Sequence, residues 1–96
     1  MNYEIVFGER ALDRIPDTTP LDVIDCLDSH LRKLADDPTK LGRRACFPFP
    51  PKGQMYNFRC NSNGKRYYFV AFFYFGEDER TLCVYKVTHS VDERRR

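Results

Sequence analysis

The chain has 96 residues, of which 42% are apolar and 31% are charged, and this balance is typical of a folded soluble protein. A chain of this length has room for one hydrophobic core, so we expect a single domain over residues 1–96. No apolar run approaches the ~20 residues of a membrane-spanning helix, and the first ten residues lack the pattern of a cleavable signal. We therefore expect a cytoplasmic protein with no membrane segment.

The N-terminal third predicts a short strand followed by helical structure. Residues 3–7 are aromatic and β-branched, as strands usually are, and residues 9–15 have the length of about two helical turns. A longer helix is predicted to begin at Pro20 with Thr19 as its cap, and to end before Pro38. Its apolar stripe has a spacing of three and four residues and consists of Leu21, Ile24, Leu27, Leu31 and Leu34.

The C-terminal half predicts a loop and three strands. The loop covers residues 39–54 and contains prolines that exclude a regular helix or central strand. The strands are expected at 55–61, 66–75 and 81–89, with a tight hairpin turn after the first. The middle strand is apolar on both faces, so we place it at the centre. The predicted fold is α+β: an N-terminal strand, a helical hairpin or helix, and a three-stranded antiparallel meander completing one sheet.

Charge is unevenly distributed, although the net charge is only +2. Residues 1–38 contain four basic and nine acidic side chains, whereas residues 39–66 contain seven basic side chains and no acidic one. Such a stretch is a candidate anion-binding surface. The alternative is a solvated edge whose charges pair with the acidic N-terminal third.

The four cysteines are predicted to be free, buried or half-buried thiols. No two of them have the CxxC spacing of zinc knuckles or redox motifs, and a cytosolic chain keeps its thiols reduced. A pairing of Cys60 with Cys83 on two strands is the alternative. We expect no metal and no cofactor.

The order of these elements and several local motifs resemble the RelE/ParE toxin superfamily of type II toxin–antitoxin systems. The resemblance covers nearly the whole chain. It rests on the strand at Tyr3–Phe7, the Leu34-x-x-x-Pro38 helix end, the basic loop, and three strand segments. These segments are Tyr56–Arg59, Arg66–Val70 after Gly64, and Val84–His89.

The resemblance implies three alternative functions. RelE-like members cleave mRNA on the ribosome without a metal, and this endoribonuclease function is the one we expect. ParE-like members act on DNA gyrase. A member without toxicity would bind a protein or a nucleic acid. For either toxin, the resemblance implies a cognate antitoxin as a partner. The fold alone does not choose among the three.

Metal-independent RNA cleavage needs a proton acceptor for the 2′-hydroxyl and cations around the scissile phosphate. Arg66 starts the central strand where the family has a functional arginine, and His89 ends the last strand where some members have an acid–base histidine. Arg59 is the third catalytic candidate. Further basic residues are expected to bind the RNA backbone, namely Lys40, Arg43, Arg44, Lys52, Lys65 and Lys86.

Strand parity limits which of these residues can share a site. In a regular strand, Lys86 and His89 point to opposite faces of the sheet. Whether Arg59 and Arg66 share a face depends on the register of their hairpin, which the sequence leaves open.

Overall fold

The computed structural model describes residues 3–44 and 53–93. In chain order, the elements are β1 (Glu4–Phe7), α1 (Leu21–Asp36), α2 (Pro38–Leu41), β2 (Arg43–Arg44), β3 (Gln54–Ser62), β4 (Lys65–Phe75) and β5 (Thr81–Glu93). The strands form one sheet in the order β1-β5-β4-β3-β2. β1 is parallel to β5, and all the other neighbours are antiparallel. This confirms the predicted α+β fold.

β4 lies at the centre of the sheet, as its apolar sequence predicts. It pairs along its whole length with β5 on one side, and from Lys65 to Phe73 with β3 on the other. The hairpin between β3 and β4 turns at Asn63 and Gly64, which have φ angles of 51° and 78°. Two consecutive positive φ angles match the twist of the flanking strands, and asparagine and glycine tolerate them best. The turn therefore fixes the register of these two strands.

α1 packs on one face of the sheet with a stripe that differs from the predicted one. Leu27, Leu31 and Leu34 are buried as expected, and Val23 joins them because it lies one turn before Leu27. Leu21 is 81% exposed, since it lies at the first helical position, off this row. Ile24 is half-buried.

The start of α1 also differs from the prediction. The helix begins at Leu21, and Pro20 takes the capping position without a side-chain hydrogen bond. The Thr19 hydroxyl instead donates to the Pro16 carbonyl oxygen at 2.7 Å. Thr19 therefore stabilises the preceding turn and does not cap the helix. The helix ends at Asp36, before Pro38, as predicted.

The segment before α1 forms turns and not a regular helix. The amide of Ala11 donates to the Gly8 carbonyl, and that of Ile15 donates to the Leu12 carbonyl. The carbonyl of Ala11 accepts a hydrogen bond of 2.9 Å from the amide of Val87 in β5. The segment is therefore bound to the edge of the sheet. The sequence predicted either a helical hairpin or a single helix before the loop, and the single long helix is correct.

A disulfide joins α1 to β3, which corrects the prediction of free thiols. Cys26 and Cys60 are bonded, and their Cα atoms are 6.1 Å apart. Cys60 points towards α1, whereas Cys83 lies on the other face of the sheet and is free, so the alternative Cys60–Cys83 pairing is also wrong.

The proline-rich part of the predicted loop, with Cys46 and Lys52, lies outside the described residues. Of the helices described, none has the length and apolar character needed to cross a bilayer.

Candidate functional site

The two faces of the sheet differ in what covers them. On one face, which we call the helix face, the alternate side chains of β3, β4 and β5 form the core with α1 and with Leu41 of α2. The other face carries the remaining side chains of β2 to β5, and we call it the open face. Both described helices contribute to the core on the helix face. The open face carries exposed side chains, among them Asn57, Arg59 and Ser90, whereas Phe72 in the middle of this face is buried.

The strand registers align the open-face side chains in rows that run across the sheet. One row ends in basic residues and has apolar residues between them. The next rows are polar and contain the two predicted catalytic arginines. From one end to the other, the rows are Arg43–Met55–Phe72–Lys86, Asn57–Val70–Thr88, Arg59–Tyr68–Ser90 and Asn61–Arg66–Asp92.

Arg59 and Arg66 are brought together on the open face. Arg59 faces Tyr68 and Arg66 faces Asn61, so the two arginines are diagonal neighbours on adjacent strands. Diagonal neighbours are ~7–8 Å apart at the backbone, within reach of long side chains. Arg59 is exposed and Arg66 is half-buried, and neither forms a salt bridge with any residue in 3–44 or 53–93. Two adjacent guanidinium groups without a carboxylate partner can bind the oxygens of one phosphate.

His89 does not join these arginines. It faces Phe69 across the strands and lies on the helix face, with its ring centroid 5.5 Å from that of Phe69 and 6.0 Å from that of Tyr67. Its Nε2 is buried and has no hydrogen-bond partner among the described residues. The expected single site of Arg59, Arg66 and His89 is therefore not assembled, because strand alternation places the imidazole behind the sheet.

Lys86 lies on the open face, opposite to His89, as strand parity predicts. Its Nζ is 5.9 Å from the centroid of the Phe72 ring. Its row is three rows away from that of Arg66. Successive residues of a strand are ~3.4 Å apart along its axis, and successive rows on one face are two residues apart. Lys86 therefore lies far from Arg66 along the sheet and is suited to bind a different part of a long ligand.

The other predicted RNA-binding residues are spread over different surfaces. Arg43 lies on the open face at the β2 edge, and with Lys40 it lines a surface pocket whose other walls include Met55 and Asn57. Lys65 lies in register with Ser62, which is buried on the helix face, so Lys65 does not share the open face. The backbone of Arg44 pairs with β3. The basic stretch therefore does not form one continuous surface.

Asp92 is a residue of the open face that the sequence pattern did not indicate. It is the direct partner of Arg66 across the β4–β5 pair and is exposed. Asp92 lies near the end of the chain, well beyond the acid-free stretch, and only the strand register places it there. A carboxylate beside Arg66 can accept a proton next to a phosphate that is bound there, while Arg59 lies on β3, two strands away from Asp92.

A second cluster, formed by His30 of α1 and by Tyr56 and Phe58 of β3, lies beside the disulfide. His30 Nδ1 is 2.9 Å from the Tyr56 hydroxyl, and its ring stacks on Phe58 at 4.6 Å. Burial, and then the charge of Lys33, hold the pKa of His30 below its usual value, which favours the neutral imidazole. Burial raises the pKa of Tyr56. These rings line an open depression that continues to Arg59 and Tyr68.

Comparisons with known proteins give two similar solved structures. One is the toxin–antitoxin complex RelBE2 from Mycobacterium tuberculosis, with a TM-score of 0.60 and 13% identity, covering 94% of this chain and 100% of that one. The other is a variant of the E. coli toxin RelE in complex with an antitoxin RelBc peptide. It has a TM-score of 0.52 and 20% identity, covering 100% of this chain and 87% of that one. No protein-family model and no curated protein sequence matches the chain.

Proposed function

We propose that this chain, which has the fold of the RelE toxins, is a toxin of a type II toxin–antitoxin system that cleaves mRNA on the ribosome with its open face. The observation that carries the proposal is the pair of Arg59 and Arg66. They are diagonal neighbours on the open face, and no described carboxylate neutralises either of them within salt-bridge distance. Two unpaired guanidinium groups at this spacing provide a binding site for a phosphodiester.

The cleavage we propose uses the 2′-hydroxyl of the RNA as the nucleophile. The Asp92 carboxylate accepts the proton of this hydroxyl, and the 2′ oxygen bonds to the adjacent phosphorus. Arg59 and Arg66 stabilise the negative charge that accumulates on the phosphate oxygens. The bond from phosphorus to the 5′ oxygen breaks, and this oxygen takes a proton from water. The products are a 2′,3′-cyclic phosphate and a 5′-hydroxyl.

Stacking and backbone contacts extend this site over the sheet. Tyr68 lies in the same row as Arg59 and is 37% exposed, so its ring can stack on an unpaired base. Arg43 and Lys86, at the ends of their row, would bind phosphates further along the strand.

The partners of this function are an antitoxin, the ribosome and mRNA, all in the cytoplasm. Both similar structures are complexes of a toxin with an antitoxin or an antitoxin peptide. An antitoxin that binds this chain would have to prevent the cleavage of mRNA on the ribosome. Covering the open face is the direct way to do so.

A specific observation favours a second candidate, which is binding of a nucleic acid or protein without cleavage. Among the described residues, the open face carries no imidazole, because both histidines lie on the side of α1. In this case the arginines would still bind a phosphate or carboxylate group, but no bond would break.

The test is a cleavage assay with purified protein, programmed ribosomes and end-labelled mRNA. We expect cleavage by the unmodified chain and a loss of at least ~100-fold in rate for Arg66→Ala and for Arg59→Ala. Arg32→Ala is the matched control, because Arg32 is an exposed residue of α1 that pairs with Asp28. His89→Ala, in the same assay, tests the predicted role of that histidine separately.

No cleavage by a folded protein would overturn the ribonuclease proposal. Retained binding of ribosomes or RNA, weakened by Arg59→Ala, would then support the second candidate. Inhibition of DNA supercoiling by gyrase would instead indicate the ParE-like function. Arrest of growth on expression of the chain in bacteria would support a toxin of either kind, and normal growth with folded protein present would contradict both.

A further inference from the structure

Three side chains that bind soft metals meet between α1 and β3, behind the open face. Cys26 and His30 are four residues apart on α1 and therefore share one face of the helix, and Cys60 faces them from β3. The sulfur atoms of the cysteines and a ring nitrogen of His30 lie within 4.8 Å of one another. The cluster is separate from Arg59 and Arg66, and no step of the proposed cleavage uses it.

We propose that Cys26, His30 and Cys60 form a zinc-binding site when the two cysteines are reduced. Two thiolates and one imidazole are a ligand set that Zn²⁺ prefers. In tetrahedral zinc sites, with bonds of ~2.3 Å to sulfur and ~2.0 Å to nitrogen, ligand atoms are roughly 3.5–3.8 Å apart. Once the disulfide is reduced, the two sulfur atoms have to separate to this spacing, and the most distant pair of donor atoms, within 4.8 Å here, has to approach by about 1 Å.

The surroundings of His30 are those of a metal ligand. Its Nδ1 is hydrogen-bonded to the Tyr56 hydroxyl at 2.9 Å, so Nε2 is the nitrogen that remains for a metal. Ligating histidines almost always have such a partner on their second nitrogen, which fixes the tautomer and the orientation of the ring. Stacking on Phe58, with an angle of 19° between the ring planes, restricts the ring further.

The disulfide and the zinc site are alternative states of the same cysteines. Two molecules of a small thiol reduce the Cys26–Cys60 bond: they supply two electrons and two protons, the protein is left with two thiols, and the two small thiols are joined as a disulfide. Zn²⁺ then displaces one proton from each thiol and binds the two thiolates and the imidazole. In the reverse direction, the disulfide of the small thiol takes two electrons from the two thiolates and is cleaved to two small thiolates, which restores the Cys26–Cys60 bond and releases the metal.

Water supplies the fourth ligand of this site. Residues 3–44 and 53–93 offer three donors in the cluster, and four-coordinate zinc with three protein ligands keeps one position for water or another small ligand. His30 is half-buried and lines the open depression that leads to Arg59 and Tyr68, so the site is accessible from solvent.

The test uses a Cys46→Ser/Cys83→Ser background, in which Cys26 and Cys60 are the only cysteines left. The protein is reduced with a phosphine, freed of the reductant without oxygen, and titrated with Co²⁺ and then with Zn²⁺. We expect one equivalent of Co²⁺ to bind with the absorption of a tetrahedral, thiolate-ligated ion, and Zn²⁺ to displace it. The oxidised protein should bind neither ion at this site.

His30→Gln separates a metal site from a disulfide that merely lies near a histidine. We expect this variant to form the disulfide normally and to bind Zn²⁺ at least about tenfold more weakly. Tyr56→Phe should weaken binding by about tenfold, because it removes the hydrogen bond that orients the ring. Cys83→Ser alone is the matched control and should bind zinc like the unmodified chain.

The proposal is overturned if the reduced, folded protein shows no thiolate-ligated Co²⁺, or if His30→Gln binds Zn²⁺ as tightly as its background. If reduction unfolds the chain, refolding is measured by circular dichroism with and without one equivalent of Zn²⁺. Zinc-dependent refolding that needs His30 would support the site, and refolding independent of zinc would refute it.

Discussion

The Ser62 hydroxyl donates a hydrogen bond of 2.8 Å to Oδ2 of Asp22, which joins the end of β3 to the first turn of α1. Ser62 is buried, and the two residues are 40 positions apart in the sequence. Asp22 lies one helical turn before Cys26, and Ser62 lies two residues after Cys60. The hydrogen bond and the disulfide therefore attach the N-terminal half of α1 to a single strand at two successive points.

Replacing Ser62 by alanine should lower the free energy of unfolding by about 1–2 kcal/mol, because a hydrogen bond to a charged acceptor is lost. Urea unfolding measures this change. Ser90→Ala is the matched control, since Ser90 is exposed on the open face and should have little effect. A double-mutant cycle with Asp22→Ala isolates the pair, and additive effects of the two substitutions would contradict a direct interaction.

Reducing the Cys26–Cys60 disulfide should lower the free energy of unfolding by about 3–4 kcal/mol in the absence of metal. The bond closes a loop between residues 34 positions apart, and its removal returns the corresponding conformational entropy to the unfolded chain. Urea unfolding with and without a reductant, in the Cys46→Ser/Cys83→Ser background, measures the change. An unaltered midpoint would mean that the disulfide contributes nothing to stability.

Gly42→Ala should destabilise the fold by about 1–3 kcal/mol through overpacking. A β-carbon at this position would lie 2.6 Å from Cζ of Phe73 and 2.8 Å from the Pro38 carbonyl oxygen. The Phe73 side chain is fully buried, and the Pro38 carbonyl is part of the backbone of α2, so neither group can move aside easily. Thermal unfolding tests this prediction, and a melting temperature equal to that of the unmodified chain would show that the junction of α2 and β2 can relax.

The turn between β4 and β5 should lose stability in acid because of Asp78. Hydrogen bonds from the amide of Arg80 and from Thr81 to its carboxylate hold the pKa of Asp78 below its ordinary value of 3.8. Folding therefore favours the ionised form. The stabilisation of the fold by these hydrogen bonds is fully present above the ordinary pKa of Asp78. It is lost as the pH falls through the lower pKa that Asp78 has in the folded state.

We therefore expect the difference in free energy of unfolding between the unmodified chain and Asp78→Ala to be constant above about pH 5 and to shrink below pH 4. Urea unfolding at a series of pH values measures it. A difference that is the same at every pH would mean that the hydrogen bonds do not depend on the charge of Asp78.

Arg59→Ala should make RNA binding less dependent on salt, if the open face binds RNA as proposed. Each phosphate neutralised on a single strand contributes ~0.7 to the slope of log K against log salt concentration, so the slope should decrease by about that amount. Binding of a labelled single-stranded RNA at several salt concentrations measures it. Arg32→Ala should leave the slope unchanged, and equal slopes for both variants would place the RNA elsewhere.

Much of the fold follows from local features of the sequence. The Asn63-Gly64 turn, the doubly apolar run of β4 and the proline after Asp36 each act through the backbone or through nearest neighbours, so the β3–β4 hairpin, the sheet centre and the helix end were predictable. The predicted loop over residues 39–54 was wrong in part, because the structure has α2 and the short strand β2 there. Two errors concern the segment before α1, where one distant contact and one local contact decided the outcome. Residues 9–15 form turns because Ala11 binds Val87, and Thr19 is used by a turn instead of the helix.

The candidate site depended on tertiary structure for a simple physical reason. Side chains alternate along a strand, so a register shift of one residue moves every side chain to the other face. By itself, the sequence determined the order of β1, α1, β3, β4 and β5, the basic character of residues 39–66 and the opposite directions of Lys86 and His89. Only the paired strands decided that Arg66 has Arg59 as its diagonal neighbour and Asp92 as its direct neighbour on the open face, that His89 lies behind this face, and that Cys26 reaches Cys60.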